Sequence, residues 1–186
     1  MKNKFSLPTV FFTLLLLGSC SNDDDEIPVV VNEEELITTL TVTLVPEGQI
    51  GSIVTLTLRD LDGDGPDEPV KTVSSSLSAG VSYYGSISLL NESESPAEDI
   101  TEEVEEEADE HQFFYTIGSG LEVTATATNF DSAGNPLGTE FSLVAGGGSS
   151  GSLTFTLRHE PTKPNNGLST AGGETDIEAT FSLSIE

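Results

Sequence analysis

Basic side chains are scarce in this chain: six lysines and arginines stand against 32 aspartates and glutamates. Such a charge balance repels phosphate backbones and anionic lipid headgroups, which excludes nucleic-acid binding, and it attracts cations, divalent metals included. Cysteine occurs once, at Cys20, so there is no internal disulfide and no second thiol for thiol chemistry. Tryptophan is absent, which removes the commonest platform for stacking a sugar ring. The N-terminal apolar run from Phe5 to Gly18 covers 14 residues and is broken by Ser6, Pro8, Thr9 and Thr13. A membrane-spanning helix needs roughly 20 apolar residues. No spacing marks a nucleophile elbow. The glycine-rich stretch Gly146 to Gly151 lacks the Gly-Lys-Ser/Thr ending of a phosphate-binding loop and reads as a sheet connection, as does Asp131 to Gly138. These gaps point away from an enzyme. A carboxylate-based hydrolase stays open only because acids are so many.

What is present begins with the leader. Lys2 and Lys4 precede the short apolar run, and the run ends in Leu17-Gly18-Ser19-Cys20. Basic head, apolar middle and small residues before a cysteine make a secretory signal of the lipoprotein kind. The expectation is cleavage after Ser19 and acylation of Cys20, with two or three acyl chains, palmitate among them, holding the protein to a membrane. One chain alone holds only weakly, at about 0.8 kcal/mol per buried CH₂. Without residues 1–19 the chain keeps four basic residues, Arg59, Lys71, Arg158 and Lys163, against all 32 acids, a formal charge of −28. Residues 20–32 form a lipidated acidic tether through Asp23, Asp24, Asp25 and Glu26, a like-charged run that cannot pack. Residues 33–186 are left as one domain.

That domain has a β-composition. Residues 36–45 and 53–59 alternate threonine with leucine or valine, the period of a half-buried strand. Further strands are expected at 70–77, 81–89, 112–117, 121–129, 139–144, 152–159 and 176–185. Their spacing predicts a mainly β fold, an antiparallel β-sandwich, immunoglobulin-like or related. The strings TLTLRD at Thr55–Asp60 and TFTLRH at Thr154–His159 echo each other, as two equivalent strands of one sandwich would. One short acidic amphipathic helix interrupts the pattern. Ser95 reads as its cap, Pro96 as its first residue and Glu98 as its third, with Ile100, Val104, Ala108 and His111 on one stripe.

Several stretches resemble small surface lipoproteins of Bacteroidetes bacteria. They are EEELITTLTVTLVPEG at 33–48, DLDGDG at 60–65, LLNESESPAEDITEEVEEEADEHQFFY at 89–115, GNPLGTE at 134–140, LRHEP at 157–161 and AGGETDIEATF at 171–181. The acidic tether resembles the export signal of that group. The resemblance implies the outer membrane, a lipid anchor facing the cell exterior, and association with a TonB-dependent uptake receptor. It implies no settled activity.

Two places carry metal-ligand chemistry. Asp60, Asp62 and Asp64 with Gly65 match the front half of a calcium loop. Lys71 occupies the twelfth position, so this is not an EF-hand. Calcium at 60–68 would need Asp67 or Glu68 to complete its shell, and a plain acidic turn is the alternative. The only histidines, His111 and His159, each adjoin an acid, Glu110 and Glu160, and Glu107 lies one helical turn before His111. Two imidazoles with carboxylates form a first shell for zinc or copper. The histidines stand 48 residues apart, so only the fold can join them. The expectation is that they approach at one end of the sandwich. Separate histidines, each bonded to its nearby acid, are the alternative.

The sequence thus predicts a non-catalytic cell-surface binding module that captures a divalent metal or metal complex for an outer-membrane receptor. Its rival is a structural or adhesive β-module with calcium-stabilised loops. Surface exposure is directly testable. External protease on intact cells should remove the protein, and replacing Asp23, Asp24, Asp25 and Glu26 by alanine should protect it. Survival of the unaltered protein on cells with intact outer membranes would refute exposure.

Overall fold

The computed structural model describes residues 36–48, 51–63 and 65–186. The leader, Cys20, the tether and Asp64 lie outside the described residues. The described part is mainly β. Its strands are β1 (Thr39–Pro46), β2 (Val54–Arg59), β3 (Val70–Val73), β4 (Ser82–Asn91), β5 (Glu98–Asp99), β6 (His111–Ile117), β7 (Val123–Ala127), β8 (Glu140–Ala145), β9 (Ser149–His159) and β10 (Glu174–Ile185). Helix α1 spans Ile100–Glu106 and a single turn, α2, spans Leu168–Ala171. Among the described residues no helix is long and apolar enough to cross a membrane.

Two antiparallel sheets result. The larger runs β3-β2-β1-β4-β8-β7, with β5 added beside β4, and the smaller runs β10-β9-β6. Alternation does the sorting. Leu40, Val42 and Leu44 of β1, Leu56 and Leu58 of β2, and Leu153, Phe155 and Leu157 of β9 are buried in one shared core. The threonines between them point the other way, as period two demands. Phe141 of the larger sheet meets Phe155 of the smaller at 5.7 Å between ring centroids, and Tyr115 at 4.8 Å. Gly85 is the register partner of Phe141, and a Cβ there would lie 2.4 Å from the phenyl ring. That glycine makes room for the ring on which the two sheets meet. The chain leaving β3 then crosses to the smaller sheet, where Leu77 donates to the Ser184 carbonyl and accepts from Glu186 N–H. The echoing strings fall on different sheets, TLTLR in β2 and TFTLRH in β9.

Three expectations need correcting. The helix does not begin at Ser95-Pro96. Glu98 and Asp99 pair with Asn91 and Leu90 instead, and Asp99 caps the helix by accepting from Thr101 N–H at 3.0 Å. The helix then stops at Glu106, because its last turn carries acids and no basic residue. Like charges one turn apart, and negative charge at a helix C-terminus, are both unfavourable. Ile100 and Val104 are buried as expected and Ala108 packs on the core, but His111 belongs to a strand. Finally, the glycine-rich connection is shorter than it looked. Ser149, Ser150 and Gly151 are already paired in β9. A Cβ on Gly151 would sit 2.8 Å from Leu121 N, so glycine serves close strand packing there rather than a loop.

One surface ion pair ties three segments together. The Glu92 carboxylate accepts from Arg59 Nε at 3.0 Å, Arg59 Nη2 at 2.6 Å and Thr39 Oγ1 at 2.6 Å. The Arg59 fork, then the Thr39 hydroxyl, hold its pKa down at about 2. The folded pKa is thus depressed below its unfolded value. The resulting stabilisation is present above the ordinary carboxylate range and is lost as pH falls through about 2. In carboxyl-resolved NMR the Glu92 signal should titrate near 2, and Arg59→Met should raise it toward the ordinary range, with the Thr39 hydroxyl still holding it partly down. An ordinary midpoint in the unaltered protein would refute the pairing.

Candidate metal centre

The pairing of β6 with β9 builds the centre. His111 shares its face with Phe113 and Tyr115, and His159 with Leu157 and Phe155, so both imidazoles turn inward with the core. In the ladder His111 is the direct partner of His159. Directly opposed residues of an antiparallel pair have Cβ atoms about 4.5–5.5 Å apart. The rings accordingly lie 4.7 Å apart between centroids, tilted by 32°. Both side chains are buried, His111 fully and His159 with 3% exposure. The expected approach of the two histidines at one end of the sandwich is therefore found.

The third member is one that the sequence reading missed. On the other side of β9, Glu174 opposes His159 and Thr175 opposes Arg158, but Ile177 opposes Leu157. Asp176 is the extra residue of a bulge. A bulge re-aims a side chain that regular alternation would send elsewhere. The Asp176 side chain has no solvent exposure, and its Oδ1 lies 3.8 Å from His159 Nδ1. One ligand atom each from His111, His159 and Asp176 fall within 4.8 Å of one another. A closed tetrahedral zinc shell brings such atoms to about 3.3 Å, given bonds of about 2.0–2.1 Å. Small side-chain shifts, not strand movement, span that difference.

The surroundings fit a metal ligand set. His111 Nδ1 lies 3.2 Å from the Glu107 carbonyl oxygen. Donation from Nδ1–H makes Nε2 the lone-pair nitrogen of the neutral ring, the outer-shell arrangement that orients metal-binding histidines. Glu107 thus contributes its main chain. Its carboxylate joins neither ligand cluster and instead lines an acidic groove along α1 with Glu103 and Glu106. The main chain around His111 is pinned by Lys163, whose Nζ donates to the carbonyls of His111 at 2.5 Å and Ala108 at 2.6 Å. Asp131 Oδ2 lies 3.5 Å from the same nitrogen, and the two side chains are only 6% and 1% exposed. Burial pulls the Lys163 pKa down, against the opposing pull of Asp131. Burial pushes the Asp131 carboxyl up, but bonds from the Asn135 side chain and N–H, the Lys163 charge and the Ala133 N–H outweigh it and hold it low. The pair favours the carboxylate's charge without fully offsetting the lysine's desolvation.

Glu110 and Glu160 lie at the solvent rim. Glu110 Oε2 is 3.9 Å from His159 Nε2, with its side chain 52% exposed. Glu110, His159 and Glu160 form a second group with ligand atoms within 4.8 Å. The acidic turn at 60–68 is arranged differently. Asp62 Oδ2 accepts from Asp67 N–H at 3.2 Å, and the Asp62 carbonyl accepts from Gly65 N–H at 2.9 Å. Asp60, Asp62, Asp67 and Glu68 line one surface depression, but no three of them, among the described residues, bring oxygens into ligand range of each other. The turn closes on its own hydrogen bonds. Asp60 also faces a groove shared with Asp176, Ile177 and Glu178.

No protein-family model, curated protein or solved structure matches this chain. The chemistry of the centre therefore rests on its own residues. Two imidazoles and one carboxylate suit zinc, copper and iron among the divalent ions, and oxygen-seeking calcium far less.

Proposed function

We propose that this protein is a cell-surface lipoprotein module that binds one divalent transition-metal ion, zinc or copper, without catalysing a reaction. The observation that carries this reading is the cross-strand pair His111–His159 with the bulged Asp176, their side chains all buried and their ligand atoms within 4.8 Å of one another. A formal charge near −28 on the processed chain concentrates cations at its surface. Anchorage through Cys20 to the outer membrane and exposure to the cell exterior are supported by the leader and the acidic tether, and service to a TonB-dependent receptor by the resemblance to surface lipoproteins alone. The lipid would hold the site beside such a receptor. Calcium in the 60–68 turn, the basis of the rival structural role, has less support, since that turn is held by its own hydrogen bonds.

Calorimetry on the leaderless chain with Cys20→Ser tests the reading. One equivalent of zinc or copper should bind with a dissociation constant of about 1 μM or tighter, worth about 8 kcal/mol. His159→Ala should weaken binding by at least about 100-fold and Asp176→Asn by about 10- to 100-fold. Glu107→Gln should leave it unchanged, since that residue meets His111 through its main-chain carbonyl. Affinities weaker than millimolar for both metals, or equal losses from Glu107→Gln and Asp176→Asn, would overturn the assignment.

A further inference from the structure

We infer that Glu110, His159 and Glu160 form an outer cation subsite, which takes a hydrated divalent ion from solvent and passes it to the buried centre. This rests on the inner site's binding a metal. The need for such a subsite comes from burial. His111 is fully buried, His159 is 3% exposed and the Asp176 side chain has no exposure. An ion arriving with its water shell cannot be received there in one step, because dehydration without replacement ligands is costly. It must trade waters for protein atoms one after another.

His159 is the residue that both ligand groups share. Its ring lies between two carboxylates at different depths. Nδ1 is 3.8 Å from buried Asp176, and Nε2 is 3.9 Å from exposed Glu110. An imidazole nitrogen and two carboxylates with solvent access suit an ion that keeps several waters. The buried set of two imidazoles and one carboxylate suits one that has lost them. The rim groups are also fixed relative to one another. Glu160 N–H donates to the Glu110 carbonyl at 2.7 Å, directly beyond the His111–His159 pair. The ladder that joins the histidines therefore delivers both acids to one spot. Moving inward, the ion exchanges the rim carboxylates and His159 Nε2 for Asp176, His111 and the Nδ1 side of the same ring, so that His159 serves both positions through different nitrogens.

The competing way in is the groove on the far side, where Asp60 and Glu178 flank Asp176. Its other walls include Ile37, Leu58, Pro69 and Ile177, so it offers a passing ion carboxylates but no imidazole.

Stopped-flow mixing of the leaderless chain with zinc, read by a competing fluorescent zinc indicator, separates these routes. The double variant Glu110→Gln/Glu160→Gln should load about tenfold more slowly and unload more slowly by a similar factor, leaving the equilibrium affinity within about threefold. Glu102→Gln/Glu106→Gln, which removes the same charge from the exposed face of α1, should load within about twofold of the unaltered chain. All four positions are exposed, so folding is not at stake. Loading of the rim variant at the unaltered rate would overturn the subsite. Equal slowing by the α1 variant would overturn it too, by showing general attraction alone. Slowing by Asp60→Asn without slowing by the rim variant would move the route to the groove. An unaltered chain that takes up no zinc at all would instead refute the inner centre, a distinct failure.

Discussion

The register between β6 and β9 is the constraint on which the rest depends. It sets Phe113 opposite Leu157, Tyr115 opposite Phe155 and Ile117 opposite Leu153, and in the same stroke His111 opposite His159. A slip by one residue would turn every one of these side chains to the other face. Fully burying a leucine or phenylalanine is worth about 1.5–3 kcal/mol, so the core residues alone forbid the slip. The histidines ride on a geometry fixed by their apolar neighbours. Their approach costs little beyond what the core already stabilises, which is what a preorganised ligand pair requires.

Charge gives the same region its chemical bias. Burying a carboxylate is unfavourable unless something compensates its charge, and two carboxylates are buried near this end of the sandwich. Asp131 is met by Lys163 and three hydrogen bonds from Ala133 and Asn135. Asp176 is met by the His159 ring, and a divalent cation between Asp176 and the two imidazoles would add to that compensation. Lys163 links the two arrangements, since the ammonium that faces Asp131 also holds the carbonyl of His111. On β1 and β2 the residues between the buried leucines and valines are threonines on the other face.

Much of the fold was legible in the sequence, because period two is written plainly in stretches such as Ile53–Arg59 and Leu153–Leu157. The site was only half legible. The two histidines could be singled out as the chain's only imidazoles, and the same alternation that buries Phe155 and Leu157 carries His159 inward. Asp176 could not be found that way, because it depends on a one-residue offset between β9 and β10 that alternation within β10 does not reveal. The trace it left was an aspartate, a poor strand former, just ahead of the regular run Ile177 to Ile185. Glu107 was misplaced for the opposite reason. Helical spacing put it beneath His111, but the run of acids ends the helix at Glu106, and Glu107 reaches the ring through its carbonyl. Ser95-Pro96 mimicked a helix start, while the working cap was Asp99, masked by the short strand that it shares with Glu98.

X-ray absorption at the zinc edge of the zinc-loaded chain tests the central claim most directly, because it reads ligand type and distance at the metal itself. The account predicts a first shell at about 2.0–2.1 Å, with the outer-shell scattering of two imidazole rings that falls to one ring in His111→Ala. A shell of oxygens alone, unchanged when His159 is replaced, would contradict it.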